Sequence, residues 1–163
     1  MPKAETIAVG VEPEADREIV IERLLDAPRE LVFEVFTAAD HLARWWGPTG
    51  FSVTTYAFDF RVGGVWRFVM HGPDGRDYQN RLVFDVIDPP ARLLARHGGG
   101  EDLEDVHHEL RISLEAEGGK TRLVWRLVFP SIAQRDHVVR EFHAVEGGQQ
   151  TIQRLADYVA GRK

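Results

Sequence analysis

The chain is expected to fold as an α+β domain in which a curved antiparallel sheet of six or seven strands packs on a long C-terminal helix. Three observations predict it. From Gly50 to Phe129 apolar residues alternate with polar ones, as half-buried strands require. From Ser131 the spacing returns to helical period and holds it for about eight turns. Between the first strand and the alternating region lie two short helical segments, and strands followed by a helix in this way form layered α+β domains.

Taken in order, residues 1–16 mix Pro, Glu and Ala without periodicity and read as a flexible N-terminal arm, leaving 17–163 as a single domain. "REIVIERLLD", from Arg17, is rich in β-branched and aliphatic residues and reads as a strand. "APRELVFEVFTAA" follows as a helix, with Pro28 in its first turn and Leu31, Val32, Val35 and Phe36 at helical spacing. "DHLARWWGPTG" is a second, shorter helix. Asp40 is placed to cap it, and Gly47 and Pro48 end it. Trp45 and Trp46 occupy its last turn about 100° apart, so one indole can enter the core while the other plugs a loop or walls a cavity.

The alternating region then supplies "FSVTTYAFDF", "GVWRFVMHG", "DYQNRLVFDVI", "RLLARHG", "VHHELRISLEAE" and "KTRLVWRLVF". "GPDG" and Gly118-Gly119 mark hairpin turns, and Pro89-Pro90 ends a strand. The loop "GEDLED" reads as solvated. The last segment, with Ser131 as N-cap, carries Ile132, Val138 or Val139, Phe142, Val145, Ile152, Leu155 and Val159 on one stripe, as one helix to about Gly161.

Composition narrows the function. With 44% hydrophobic and 28% charged residues, the chain has the balance of a soluble globular protein. A net charge of −6 disfavours nucleic acid and anionic membrane surfaces as partners. The absence of cysteine excludes disulfides, thiol catalysis and thiolate metal sites. With no leader-like or membrane-spanning apolar run, the expected location is cytoplasmic. No metal or other cofactor is expected. His107 and His108 are adjacent in a strand, and His137 and His143 diverge on a helix, so neither pair can share an ion. No serine sits in a nucleophile elbow and no glycine-rich phosphate loop opens a helix, so catalytic residues are left unassigned.

The order β-α-α-β-β-β-β-β-β-α suits a helix-grip fold. "DAPRELVFEVFT", "HLARWWGP", "FDFRVGGVWRFVMHGPDG", "VIDPPARL", "TRLVW" and "EGGQQTIQRLADYV" lie at matching points along it. In these stretches the chain resembles the activator-of-heat-shock-protein-90-ATPase homologue family over about residues 17–161. That family belongs to the START-like (Bet v-like, SRPBCC) superfamily, with polyketide cyclases and plant allergens. The resemblance implies the helix-grip fold and a cavity between sheet and long helix that accepts small apolar molecules. Some members have Gly-Trp where this chain has Gly147-Gly148, so a bulky side chain is missing here. Two glycines within a helix cost about 1 kcal/mol each relative to Ala. Close packing on the sheet, a bend, or vacated cavity volume could each offset that, and cavity volume is the expectation.

Alternation also puts polar groups on apolar faces. His108 shares a face with Val106, Leu110, Ile112 and Leu114, and His107 faces the other way with Glu109, Arg111 and Ser113. Tyr78 and Asn80 lie with Leu82, Phe84 and Val86. Trp66, Phe68 and Met70 make a third row, and Leu123, Trp125, Leu127 and Phe129 a fourth. An unpaired buried polar group costs about 1–3 kcal/mol, so His108, Tyr78 and Asn80 need partners from protein, water or ligand. They are either satisfied structural or rim residues, or polar anchors in an apolar pocket. The candidate cavity lining is therefore Trp45, Trp46, Trp66, Phe68, Tyr78, Asn80, His108, Trp125, Phe142 and Gly148.

Three functions remain open. The first is binding of a small apolar molecule, with room for a weak homodimer. The second is a cyclase- or hydrolase-type enzyme on an apolar or polyketide-like substrate, with His108 as the histidine whose facing suits acid-base work. The third, ranked last, is stimulation of a heat-shock-protein-90 ATPase, because the eukaryotic activators carry an additional N-terminal domain that engages the chaperone.

Overall fold

The alternation between Gly50 and Phe129 becomes six consecutive strands in a computed structural model that describes residues 12–99 and 106–162. They are β2 Ser52–Phe58, β3 Val65–His71, β4 Asp77–Asp88, β5 Arg92–Gly98, β6 Val106–Glu117 and β7 Lys120–Val128. Each pairs antiparallel with the next, and β1 Glu18–Leu25 adds beside β7, giving the order β1-β7-β6-β5-β4-β3-β2. The β6–β7 hairpin turns on Gly118 and Gly119, both at positive φ (60° and 83°), as a two-residue turn matched to strand twist demands.

Helices α1 Arg29–Glu34 and α2 Ala39–Trp45 follow β1, and α3 Ile132–Glu141 and α4 Ala144–Ala160 follow β7. The helix-grip architecture is present, with seven strands and α4 as the gripped helix. It packs its Thr151, Ile152, Leu155, Ala156 and Val159 face into the core. Leu42, Trp45, Trp66, Phe68, Phe84, Leu110, Ile112 and Leu123 fill the space beneath it. Burying each of these large apolar side chains contributes about 1.5–3 kcal/mol.

The other face of the sheet carries charge. Arg111 bonds Glu14 through both terminal nitrogens (3.1 and 2.9 Å), Arg126 bonds Glu18 and Glu14, and Arg96 chelates Asp85. The Arg111 hydrogen bonds hold the Glu14 carboxyl below its ordinary range. Glu14–Asp16 forms a 3-10 turn, so residues 12–16 of the expected arm sit against the sheet. Residues 1–11 and the acidic loop at 100–105 lie outside the described residues.

Two local expectations need correction. Asp40 does not cap α2. Ala38 occupies that position with no side-chain bond, and Asp40 lies in the first turn, where its charge still complements the helix dipole. The C-terminal segment is not one helix. Ser131 caps α3 by accepting from the Gln134 N–H (3.0 Å), but the run breaks at Phe142 and His143. His143 adopts the left-handed conformation (φ 51°, ψ 48°) and starts α4 in a new direction. Phe142, expected on the buried stripe, is consequently 60% exposed.

Candidate functional site

The break between α3 and α4 leaves a space over the ends of β6 and β7. No residue of α3 is buried. Its Ala133, Gln134, His137 and Val138 roof a cleft of about 470 Å³ whose floor includes His107, His108, Leu127 and Phe129. His108, Leu127, Phe142 and Ala144 also border an inner chamber of about 190 Å³, which runs under α4 to Trp46, Met70, Trp125 and Thr151.

A polar chain crosses this apolar wall. His97 on β5 and His108 on β6 are direct cross-strand partners. His97 Nδ1 lies 3.2 Å from His108 Nε2, and His97 Nε2 lies 2.7 Å from Asn80 Oδ1. The proton positions follow from one end. Asn80 Nδ2 donates to the Tyr78 carbonyl (2.9 Å), and turning the amide over would set two oxygens face to face. Asn80 Oδ1 is therefore the acceptor and His97 Nε2–H the donor. His97 Nδ1 then accepts from His108 Nε2–H, which leaves a lone pair on His108 Nδ1.

Both imidazoles keep some surface, His97 at the chamber and His108 at both spaces, yet protein surrounds them. Phe68 lies 6.2 Å from the His97 ring and Phe129 5.2 Å from the His108 ring. Burial pushes the His97 pKa down to about 3, with the nearby His107 adding to the shift. Burial drives His108 well below its ordinary value too, helped by His97 and His107. At neutral pH the chain is uncharged.

The expected lining separates into groups. Trp46 and Trp125 wall the inner chamber, together with Gly148, and His108 borders both spaces. Phe142 stands at the rim. Asn80 serves the chamber indirectly by orienting His97. Trp45 is wholly buried and donates from Nε1 to the Val35 carbonyl (3.1 Å), so it is core. Trp66 stacks on Phe68 at 3.8 Å and donates to Thr55 Oγ1 (3.0 Å), and neither borders the cleft or the chamber. Tyr78 contributes its carbonyl to Asn80, while its ring lies beside Phe51 (6.1 Å).

Gly148 departs from expectation in a different way. It borders the chamber, but a Cβ there would also meet Ile21 Cδ1 at 2.6 Å, so the missing side chain makes room for a β1 side chain as well as for the chamber. His107 and His108 also do more than alternate. The register shifts between His97 and Gly98, making His107 the extra residue of a bulge. His107 is exposed and His108 is not, yet both border the outer cleft.

Two site residues were missed in the sequence. His97 had a usable signal, since Leu93, Ala95 and His97 alternate onto one face of "RLLARHG". Arg154 had none. From α4 its Nη1 donates to the carbonyls of Trp46, Gly47, Pro48 and Phe51 (2.9–3.3 Å), tying the α2–β2 loop to the helix. Among the described residues no cluster of three His, Asp or Glu is arranged to hold a metal. No described helix is long and apolar enough to cross a membrane.

A seven-stranded antiparallel sheet gripping a long C-terminal helix is the architecture of a START-like domain. The chain belongs to the family described as Activator of Hsp90 ATPase homolog 1-like protein, whose model matches residues 26–160. Solved structures share the fold. One is a protein from Arthrobacter aurescens (24% identity, 92% of this chain and 90% of that one, TM-score 0.83). Another is from Nitrosomonas europaea (24%, 92% and 98%, TM-score 0.79). A third is an AHSA1 protein from Silicibacter pomeroyi (20%, 90% and 99%, TM-score 0.71). No functionally curated protein matches the chain.

Proposed function

We propose that this chain is a cytoplasmic START-like protein that binds a small apolar molecule beneath α3 and α4. One observation carries the reading. The outer cleft and inner chamber meet at His108, Leu127, Phe142 and Ala144, a mostly apolar path with few polar groups. Apolar walls with a small number of placed polar atoms are the usual composition of small-molecule sites.

The histidine chain supports binding over cyclase or hydrolase chemistry. A general base works best with its pKa near the working pH, and burial carries both imidazoles far below that. The reading also places the working part of the molecule in the cleft, not on a chaperone-facing surface.

The test is titration with an uncharged, environment-sensitive apolar dye, with Ala144→Trp as the variant that fills the junction. The wild type should bind one dye and the variant should lose binding while melting within a few degrees of wild type. A dye that ignores the wild type, or binds the filled variant equally well, refutes the proposal. Native mass spectrometry of protein from its own host should then show a co-purifying small molecule.

A further inference from the structure

Resting on that reading, we infer that the molecule taken up is uncharged and carries a hydroxyl group, whose hydrogen is accepted by His108 Nδ1. The direction of the hydrogen-bond chain decides this. The Tyr78 carbonyl orients the Asn80 amide, Asn80 Oδ1 takes the His97 Nε2 proton, and His97 Nδ1 takes the His108 Nε2 proton. Every link is set from the strand end, so the last atom, His108 Nδ1, is left as a bare acceptor.

That atom belongs to a residue bordering both the cleft and the chamber. Among the described residues nothing bonds to it, and Arg135 Nε is the buried side-chain polar atom left without a partner there. His108 Nδ1 therefore retains accessible surface, where its ring borders both spaces. An acceptor at an apolar wall is costly to cover with hydrocarbon and favourable to cover with an O–H.

The rest of the wall selects further. Neither space is bordered by Lys or Arg, so a carboxylate or phosphate entering it would lose water with only His107 and His137, on the outer cleft, to face it. Thr151 spends its own hydroxyl hydrogen on the Gly147 carbonyl (2.9 Å), leaving its oxygen as a second acceptor. Trp46 and Trp125 border the same chamber with their indoles among apolar neighbours. A hydroxyl, which donates and accepts, suits this set better than a carbonyl, which only accepts.

The experiment compares 2-naphthol, 2-methoxynaphthalene and 2-naphthoate by calorimetry, on wild type and His108→Leu. The naphthol-to-ether affinity ratio should fall about three- to tenfold in the variant, the size of one neutral hydrogen bond. Ether affinity should stay within about twofold, and naphthoate should bind weakest to wild type. An unchanged ratio, or naphthoate binding tightest, overturns the hydroxyl proposal and leaves the apolar cleft standing. No binding of any probe to wild type removes both.

A second measurement needs no variant. The imidazole ¹⁵N resonances of wild type should show His108 protonated at Nε2 and bare at Nδ1. The Nδ1 signal should move on adding naphthol and not on adding the ether. A His108 protonated at Nδ1, or an Nδ1 signal indifferent to naphthol, overturns the assignment.

Discussion

The space under the C-terminal helices has a tryptophan end and a histidine end, and the two are built oppositely. At the tryptophan end aromatic rings crowd together. Trp45 lies 4.9 Å from Phe36, and Trp46 lies 5.0 Å from Trp66 and 5.5 Å from Trp125. Arg154 fastens the loop after these tryptophans to α4, its charge partly desolvated and its pKa lowered for that reason. At the histidine end α3 buries none of its residues and roofs an open cleft. One end concentrates stability so that the other can stay unfilled. Local opening free energies differ within a domain in this way, and binding regions come from the low end.

The largest effect that could break this contrast comes from a pair of aromatic truncations. Trp45→Ala should cost about 3–5 kcal/mol in urea melts, through lost burial and the cavity left behind. Phe142→Ala, at the exposed rim, should change stability by less than about 0.5 kcal/mol. Comparable losses at both positions would mean that the histidine end is packed as tightly as the other.

An intermediate effect sharpens the contrast by pH. The folded His97 pKa is about 3 against an ordinary 6.5, and His108 shifts in the same direction. Below pH 6.5 the unfolded chain takes up protons that the folded imidazoles refuse, so stability present above that pH is lost progressively as pH falls toward 3. Thermal melts between pH 6.5 and 4.5 should show this slope before most carboxylates titrate. A His97→Leu, His108→Leu double variant should flatten it. Equal slopes would show that the imidazoles charge freely in the folded protein.

The smallest effect concerns the joint between the helices. His143 is a non-glycine residue at φ 51°, a conformation costing about 1–2 kcal/mol for L-residues. His143→Gly should relieve that cost and lose a similar amount to unfolded-chain entropy. The expected melting temperature is within about 3 °C of wild type. A large drop would assign the His143 side chain a bond that holds α3 down.

Much of the fold was legible because it rests on local spacing. Trp66, Phe68 and Met70, or Leu123, Trp125 and Leu127, sit two apart whatever else the chain does, so a sheet row follows from the residues alone. The Ser131 cap and the turn at Gly118-Gly119 are equally local. The site was legible only in part. His108 could be placed on an apolar face, and Trp46 beside a cavity, but nothing in "RLLARHG" or "VHHELRISL" shows that His97 and His108 would stand opposite each other.

The sequence by itself determined the succession of strands, the inward rows and the family. Each depends on residues within a few positions of one another, where strand and helix periods dictate the face. Only the tertiary structure decided the His97–His108 pair, the bulge at His107, the break at His143 and the contact of Gly148 with Ile21. These depend on which strands become neighbours, in which register, and how closely α4 settles on β1. Such choices are made by long-range packing and pairing, where a shift of one residue turns a side chain to the other face.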